Sequence, residues 1–233
     1  MGVPANFDSD NLDSILVDWI CALREFSVEA VLVLGPNPFG GVEDRHVLAV
    51  HPPLMADAAK ALAESRDFGA AWRESDAPLV AWQHIAKSDR LSAARWRMLS
   101  LAHGYQTVIR VEFTLPAGRA FECVMFSARV HNYGVDAASI VWSALNVWPL
   151  VKRAISVARS TLSPRERECL SLAFEGLTAR ESGLRLGCSD RTINYHLANA
   201  MNKLRVDNKL AAIQRACWLG ASALSHQVIS GQG

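Results

Sequence analysis

The sequence predicts an α+β fold, in which an N-terminal α-β-α sandwich built on an antiparallel sheet is followed by a small all-α unit of four helices. Three observations predict it. From residue 10 to residue 157, apolar helical faces alternate with short β-branched runs. Three helix starts then crowd together, at Ser163-Pro164-Arg165-Glu166, Thr178-Ala179-Arg180-Glu181 and Ser189-Asp190-Arg191-Thr192. The charge also changes sign along the chain. Residues 1–150 carry 12 Lys and Arg against 17 Asp and Glu, a net of −5, and residues 151–233 carry 12 against 6, a net of +6. An acidic sensor joined to a polyanion binder has this distribution.

In the first part, residues 10–25 read as an amphipathic helix, with Leu12, Ile15, Leu16, Trp19, Ile20 and Leu23 at helical spacing. Val28 to Leu34 is a strand closed by the turn Gly35-Pro36-Asn37-Pro38, and Val47 to Val50 can pair with it. Pro52 and Pro53 precede an Ala-rich helix that reaches Glu64. Further helices are expected through Trp72 and over 92–102. Residues 105–115 and 120–129 read as a hairpin around Pro116-Ala117-Gly118-Arg119, and a long apolar helix spans Ile140 to Val157. Six of the seven Trp residues fall in this part, which fits either a large core or a cavity lined by rings. The boundary is placed at 158/159, giving domains 1–158 and 159–233.

Composition narrows the function classes. With 50% hydrophobic and 20% charged residues, the chain supports a real core and is not disordered. The five cysteines, Cys21, Cys123, Cys169, Cys188 and Cys217, form no C-x-x-C pair, which argues for a reducing compartment. No apolar run approaches the roughly 18 residues of a membrane span, so a cytoplasmic protein without membrane contact is expected. His46, His51, His84, His103 and His131 lack metal-ligand spacing, and neither a nucleophile motif nor a Gly-rich phosphate loop is present. An enzyme is not expected, and neither is a cofactor or a metal.

The last part carries the clearest chemistry. The first two helix starts are capping boxes, in which a hydroxyl takes the N–H three residues on and Glu reaches back. Helices are predicted over 164–175, 179–186, 190–204 and 208–219, with Gly176 and Gly187 as C′ residues and Asp207 as the last N-cap. In the third helix Ile193, Leu197, Ala200 and Leu204 form a buried seam. Arg191, Tyr195, Ala198 and Asn202 lie opposite, flanked by Asn194 and Asn199, a face of forked donors suited to base edges and phosphates. Ser189, at the helix N-terminus, suits a phosphate, and Thr178 and Thr192 stand at helix starts beside it. Arg165, Arg180, Arg191, Lys203 and Arg205 are placed to meet backbone phosphates. Double-stranded DNA is the expected partner.

These residues carry a resemblance. Leu162-Ser163-Pro164-Arg165-Glu166, Gly176-Leu177-Thr178, Glu181, Leu186, Ser189, Thr192-Ile193, His196, Asn199-Ala200, Lys203-Leu204, Val206 and Asn208-Lys209 together resemble the four-helix DNA-binding domain of LuxR/FixJ-type transcription regulators. Ser182-Gly183 departs from the apolar pair usual after the Glu, so a less stable second helix is expected. The resemblance implies a homodimer on a near-palindromic operator, the long helix and the last helix being the expected contacts.

Residues 12–155 are similar to the autoinducer-binding domain of quorum-sensing LuxR-type regulators through Asp67, Trp82 preceded by Pro78, His103-Gly104-Tyr105 and Met125-Phe126-Ser127. By that spacing the family's lactone-binding Trp falls at Leu54 and its carbonyl-binding Tyr at Ala58, while the amide-accepting role falls to Asp67. Each lost donor removes about 0.5–1.5 kcal/mol of net binding. The resemblance therefore implies a small apolar signal other than a standard acyl-homoserine lactone, lined by Leu32, Leu54, Ala58, Asp67, Trp82, Tyr105 and Ser127. The alternative is a ligand-free N-terminal module for dimerisation or protein interaction.

Overall fold

A computed structural model describes residues 12–37, 41, 44–65, 80–86, 94–115, 118–131, 134–159 and 161–218. They divide into two compact units between Ala154 and Ile155.

The first unit is built on one antiparallel sheet. Its strands are β1 (Val28–Pro36), β2 (Arg45–His51), β3 (Val80–His84), β4 (Thr107–Leu115) and β5 (Arg119–Ser127), in the order β2-β1-β5-β4-β3. β1 is buried along its length except at Glu29, because helices cover both faces and the strand lies inside the sheet. Its register sets the two faces. Ala30 sits opposite Phe126 and Leu32 opposite Val124, while Val31 opposes Met125 and Val33 opposes Cys123. The β4–β5 hairpin turns at Gly118, whose φ of +68° favours glycine.

On one face, Ala30, Leu32, Leu34, Val108, Val124 and Phe126 pack with α2 (Ala56–Glu64) and α3 (Arg95–Ala102) in a single apolar cluster. On the other lie α1 (Leu12–Ala22) and α4 (Gly134–Arg159). Trp148 of α4 stacks on Phe113 at 4.0 Å, and Trp19 of α1 donates its Nε1–H to Ser143 Oγ at 2.8 Å.

α1 ends at Ala22 rather than residue 25, with a separate 3-10 turn over Arg24–Phe26, and two further elements differ from the sequence reading. α4 begins at Gly134 rather than Ile140, because Asp136 enters its first turn and accepts from Arg129 Nη2 at 2.9 Å. β3 is an added edge strand; five residues with mixed polarity gave no alternation to read, and pairing with β4 makes it a strand. The helix expected through Trp72 lies outside the described residues.

The second unit contains α5 (Pro164–Phe174), α6 (Ala179–Leu186), α7 (Asp190–Leu204) and α8 (Lys209–Trp218) around an apolar core. All four match the sequence reading to within one residue at each end.

Candidate functional site

Each helix of the second unit is closed by its own sequence. Ser163 Oγ accepts from the Glu166 N–H at 3.2 Å while Glu166 Oε2 accepts from the Ser163 N–H at 2.7 Å. Thr178 and Glu181 repeat the exchange at 3.3 and 2.7 Å. Ser189 Oγ accepts from the Thr192 N–H at 3.1 Å and opens α7. For α8 the capping oxygen is Oδ1 of Asn208, which accepts from the Ala211 N–H at 2.8 Å, one residue beyond the expected Asp207.

α6, a three-residue turn and α7 make a helix-turn-helix. Gly187, at φ +68°, ends α6 in the left-handed region. Gly183 explains the departure after Glu181. A Cβ there would lie 2.6 Å from the Cys188 carbonyl oxygen, so the turn can approach α6 only because the side chain is missing. Gly183 is thus a packing requirement of the turn. α7 buries Ile193, Leu197, Ala200 and Leu204, the seam the spacing gave. Arg191, Asn194, Tyr195, Ala198 and Asn202 are exposed on the far side, Tyr195 to 63%. Thr192, His196 and Asn199 are half-buried at the margins.

The α2–α3 face of the sheet gathers part of the expected pocket and separates the rest. Leu32, Ala58 and Tyr105 are buried in one cluster, with Tyr105 5.7 Å from the Phe126 ring. Leu54 stands 57% exposed on the short 3-10 turn Pro53–Met55, because its neighbour Met55 takes the inward position. Trp82 pairs with Ile109, which opposes Met125, and so belongs to the opposite face; it is 36% exposed. Ser127 also falls out of step with Leu32, and its hydroxyl is engaged. It donates to the Phe26 carbonyl at 2.9 Å, accepts from the Arg129 N–H at 3.1 Å and lies 2.9 Å from His131 Nε2. Asp67 lies outside the described residues.

A buried ionic cluster sits on this same face, and sequence reading missed it. Arg110 Nε donates to Glu122 Oε2 at 2.6 Å, Arg45 Nη1 meets Glu122 Oε1 at 3.2 Å, and Arg110 Nη2 also bonds Glu112. Arg45 Nη2 reaches the Leu62 and Ser65 carbonyls at the end of α2. Burial opposes the Glu122 charge, but the attraction of Arg45 and then Arg110 outweighs it and holds the carboxyl below its ordinary range. Only the alternation of Arg110, Glu112 and Thr114 in β4 hinted at such a cluster.

The comparisons with known proteins concentrate on the second unit. Residues 160–216 match the family described as bacterial regulatory proteins, luxR family. This unit is a LuxR-family helix-turn-helix domain. The transcriptional activator LuxR of Aliivibrio fischeri is 37% identical over 82 residues, covering 35% of this chain and 33% of its own. AnoR of Acinetobacter nosocomialis is 46% identical over 59 residues, 25% of each chain, and SolR of Ralstonia solanacearum is 39% identical over 71 residues, 30% of each. Each alignment thus spans a third or less of the curated relative. A crystal structure of Escherichia coli SdiA aligns with 93% of this chain at 16% identity, 93% of its own length and a TM-score of 0.47.

Within the LuxR-family domain the basic side chains differ in what holds them. Lys203 Nζ lies 2.9 Å from Glu166 Oε2, so it braces the first capping box from α7. Arg165 is paired with Glu168 at 2.7 Å on the surface, and Arg185 with Glu175 at 2.9 Å. Arg215 donates to the Leu204 and Arg205 carbonyls at 2.9 and 3.1 Å, closing α7 where Arg205 turns left-handed at φ +53°. Arg180 and Arg191 are exposed, and among the described residues neither guanidinium enters an ion pair. Arg215 and the Lys203–Glu166 bridge were missed, since both join residues ten or more apart.

Among the described residues no three His, Cys, Asp or Glu side chains are placed to hold a metal ion, and no helix is long and apolar enough to cross a membrane.

Proposed function

We propose that the chain is a cytoplasmic, homodimeric transcription regulator of the LuxR quorum-sensing type that binds a near-palindromic operator in double-stranded DNA. The observation that carries this reading is the α7 face. Arg191, Asn194, Tyr195 and Asn202 stand exposed above a fully buried seam, in a domain of the LuxR family. Ser189, Thr178 and Arg180 lie exposed at the starts of α7 and α6, where helix N-termini favour phosphate. Arg165, Lys203 and Arg205 add positive charge, Lys203 in addition to its bracing role. Thr192 and Asn199, at the margins of the face, extend it.

The N-terminal unit is read as the sensor of a small, mostly apolar signal other than a standard acyl-homoserine lactone. Ala58 and Tyr105 meet Leu32 in one apolar cluster, and no ring donor stands at residues 54 and 58. Asp67 remains the proposed acceptor for a ligand N–H. The second reading, a ligand-free dimerisation module, is favoured by an apolar stripe on α4, where Val135, Leu145 and Trp142, the last 65% exposed, lie along one side.

A gel shift tests the first proposal. Arg191→Ala is expected to remove specific operator binding and leave the melting temperature unchanged, and wild-type affinity should fall by a few powers of ten between low and moderate salt. Undiminished binding by Arg191→Ala would remove this face from the interface.

A further inference from the structure

Four arginines of the N-terminal unit have buried side chains; among the described residues, at Arg45 and Arg119 only Nε lacks a hydrogen-bond partner, and Arg110 leaves no such nitrogen. Arg45 and Arg110 share Glu122, and Arg119 donates to the Asn37 carbonyl at 2.7 Å. Arg97, on α3, is different. It is 1% exposed and donates from Nη1 to the Ile85 carbonyl at 2.8 Å, but its Nε and Nη2 are buried with no hydrogen-bond partner among the described residues. Arginine does not escape burial by losing its proton, so the charge persists.

The geometry of the free groups is informative. Nε–H and the outer Nη2–H lie side by side on one edge of the guanidinium, the edge that takes both oxygens of a carboxylate through two parallel bonds. A lone carbonyl oxygen leaves one of those donors poorly served. The guanidinium is also fixed in place, by the Ile85 carbonyl on one nitrogen and by the Trp96 ring, whose centroid is 5.0 Å from Cζ. Ile85 and Trp96 belong to the apolar cluster on the α2–α3 face, together with Tyr105, Phe126 and Ala58. An oriented pair of donors beside an apolar cluster is the arrangement that selects a head group and then a chain.

We infer that Arg97 anchors a ligand on this face of the sheet, and that the ligand is an amphiphile with an apolar chain and a single carboxylate. The inference deepens the sensing role proposed above and rests on it for the consequence at DNA, not for binding itself. A carboxylate supplies the missing half of a buried ion pair, so its affinity exceeds that of a neutral molecule of the same shape.

The test uses the whole purified chain and saturated carboxylates from butanoate to dodecanoate, each set against the alcohol of equal length. At least one carboxylate is expected to raise the melting temperature with concentration and to bind about tenfold or more tightly than its alcohol by calorimetry. Arg97→Met should abolish that preference, and without ligand it should melt at or above the wild-type temperature, because it removes an uncompensated buried charge. The inference is overturned if no carboxylate shifts the wild type, if acid and alcohol act alike, or if Arg97→Met keeps the preference. Misfolding of both Arg97→Met and Arg97→Lys would overturn it too, since that is the behaviour of a guanidinium satisfied within the fold. A gel shift separates this site from the sensor role: carboxylate binding that leaves operator affinity unchanged keeps the site and removes the role.

Discussion

The two units satisfy their polar groups over different distances along the chain. In the LuxR-family domain the capping exchanges at Ser163, Thr178 and Ser189 each span three residues. In the N-terminal unit Arg45 meets Glu122 across 77 positions, Ser127 meets Phe26 across 101, and Trp19 meets Ser143 across 124. Local closure sets each helix boundary independently of the rest of the fold. Long-range closure exists only after the sheet register is correct, so one lost partner leaves several others unsatisfied. Substitutions in the first unit should therefore cost more than those in the second.

Glu122→Gln is the largest expected effect. It leaves Arg45 and Arg110 buried and charged beside a neutral amide, with Glu112 still bonded to Arg110. Breaking a buried pair in this way costs about 3–5 kcal/mol, a large part of the stability of a domain this size. Denaturant unfolding should show the N-terminal transition moving far to lower denaturant while the helix-turn-helix transition stays in place. A loss below about 1 kcal/mol would mean that the two arginines find other acceptors, and the contrast between the units would fail.

The same contrast explains what was legible in the sequence. The helices of the second unit were readable almost to the residue because Ser163, Glu166, Thr178, Glu181, Ser189 and Gly187 act on their own neighbours. The interior strand β1 was legible from its β-branched run, and the hairpin from Gly118. β3 was not, since Val80–His84 becomes a strand only through its ladder with β4. For the sensor face, spacing placed Trp82 and Ser127 with Leu32, whereas the register sets them on the opposite side. Strand parity depends on pairing and bulges, and β1 is irregular between Val28 and Ala30. Arg97 carried no sequence signal beyond a charge next to the buried Trp96.

Gly183→Ala sharpens the comparison from the other side, because it is the place where the second unit depends on a close backbone approach. The added methyl meets the Cys188 carbonyl oxygen at 2.6 Å and the Asp190 nitrogen at 3.3 Å, and neither is the end of a flexible side chain. Overpacking of this kind costs about 1–3 kcal/mol. Because the strain falls on the turn that aims α7, operator affinity should drop more than the melting temperature implies. A variant with wild-type operator binding would show that the turn can shift without moving α7.

The smallest effect expected is at the first capping box, where Ser163→Ala should cost about 1 kcal/mol, the usual value of a helix cap. The pH dependence identifies the interaction at work. Burial opposes the Glu166 charge, but hydrogen bonds from Lys203 and from the Ser163 backbone outweigh it and hold the carboxyl below its ordinary value. A carboxylate depressed in the folded state adds stability that is fully present above its unfolded pKa of about 4.3 and is lost as pH falls through the folded value. Glu166→Gln should therefore destabilise the domain at neutral pH, and the difference from wild type should shrink in acid below the carboxylate range. Ser163→Ala removes a neutral hydroxyl, so most of its cost should persist in acid. Thermal unfolding of both variants at neutral and acid pH checks this; an equal pH response would mean that the charge of Glu166 contributes nothing beyond the hydroxyl's own bond.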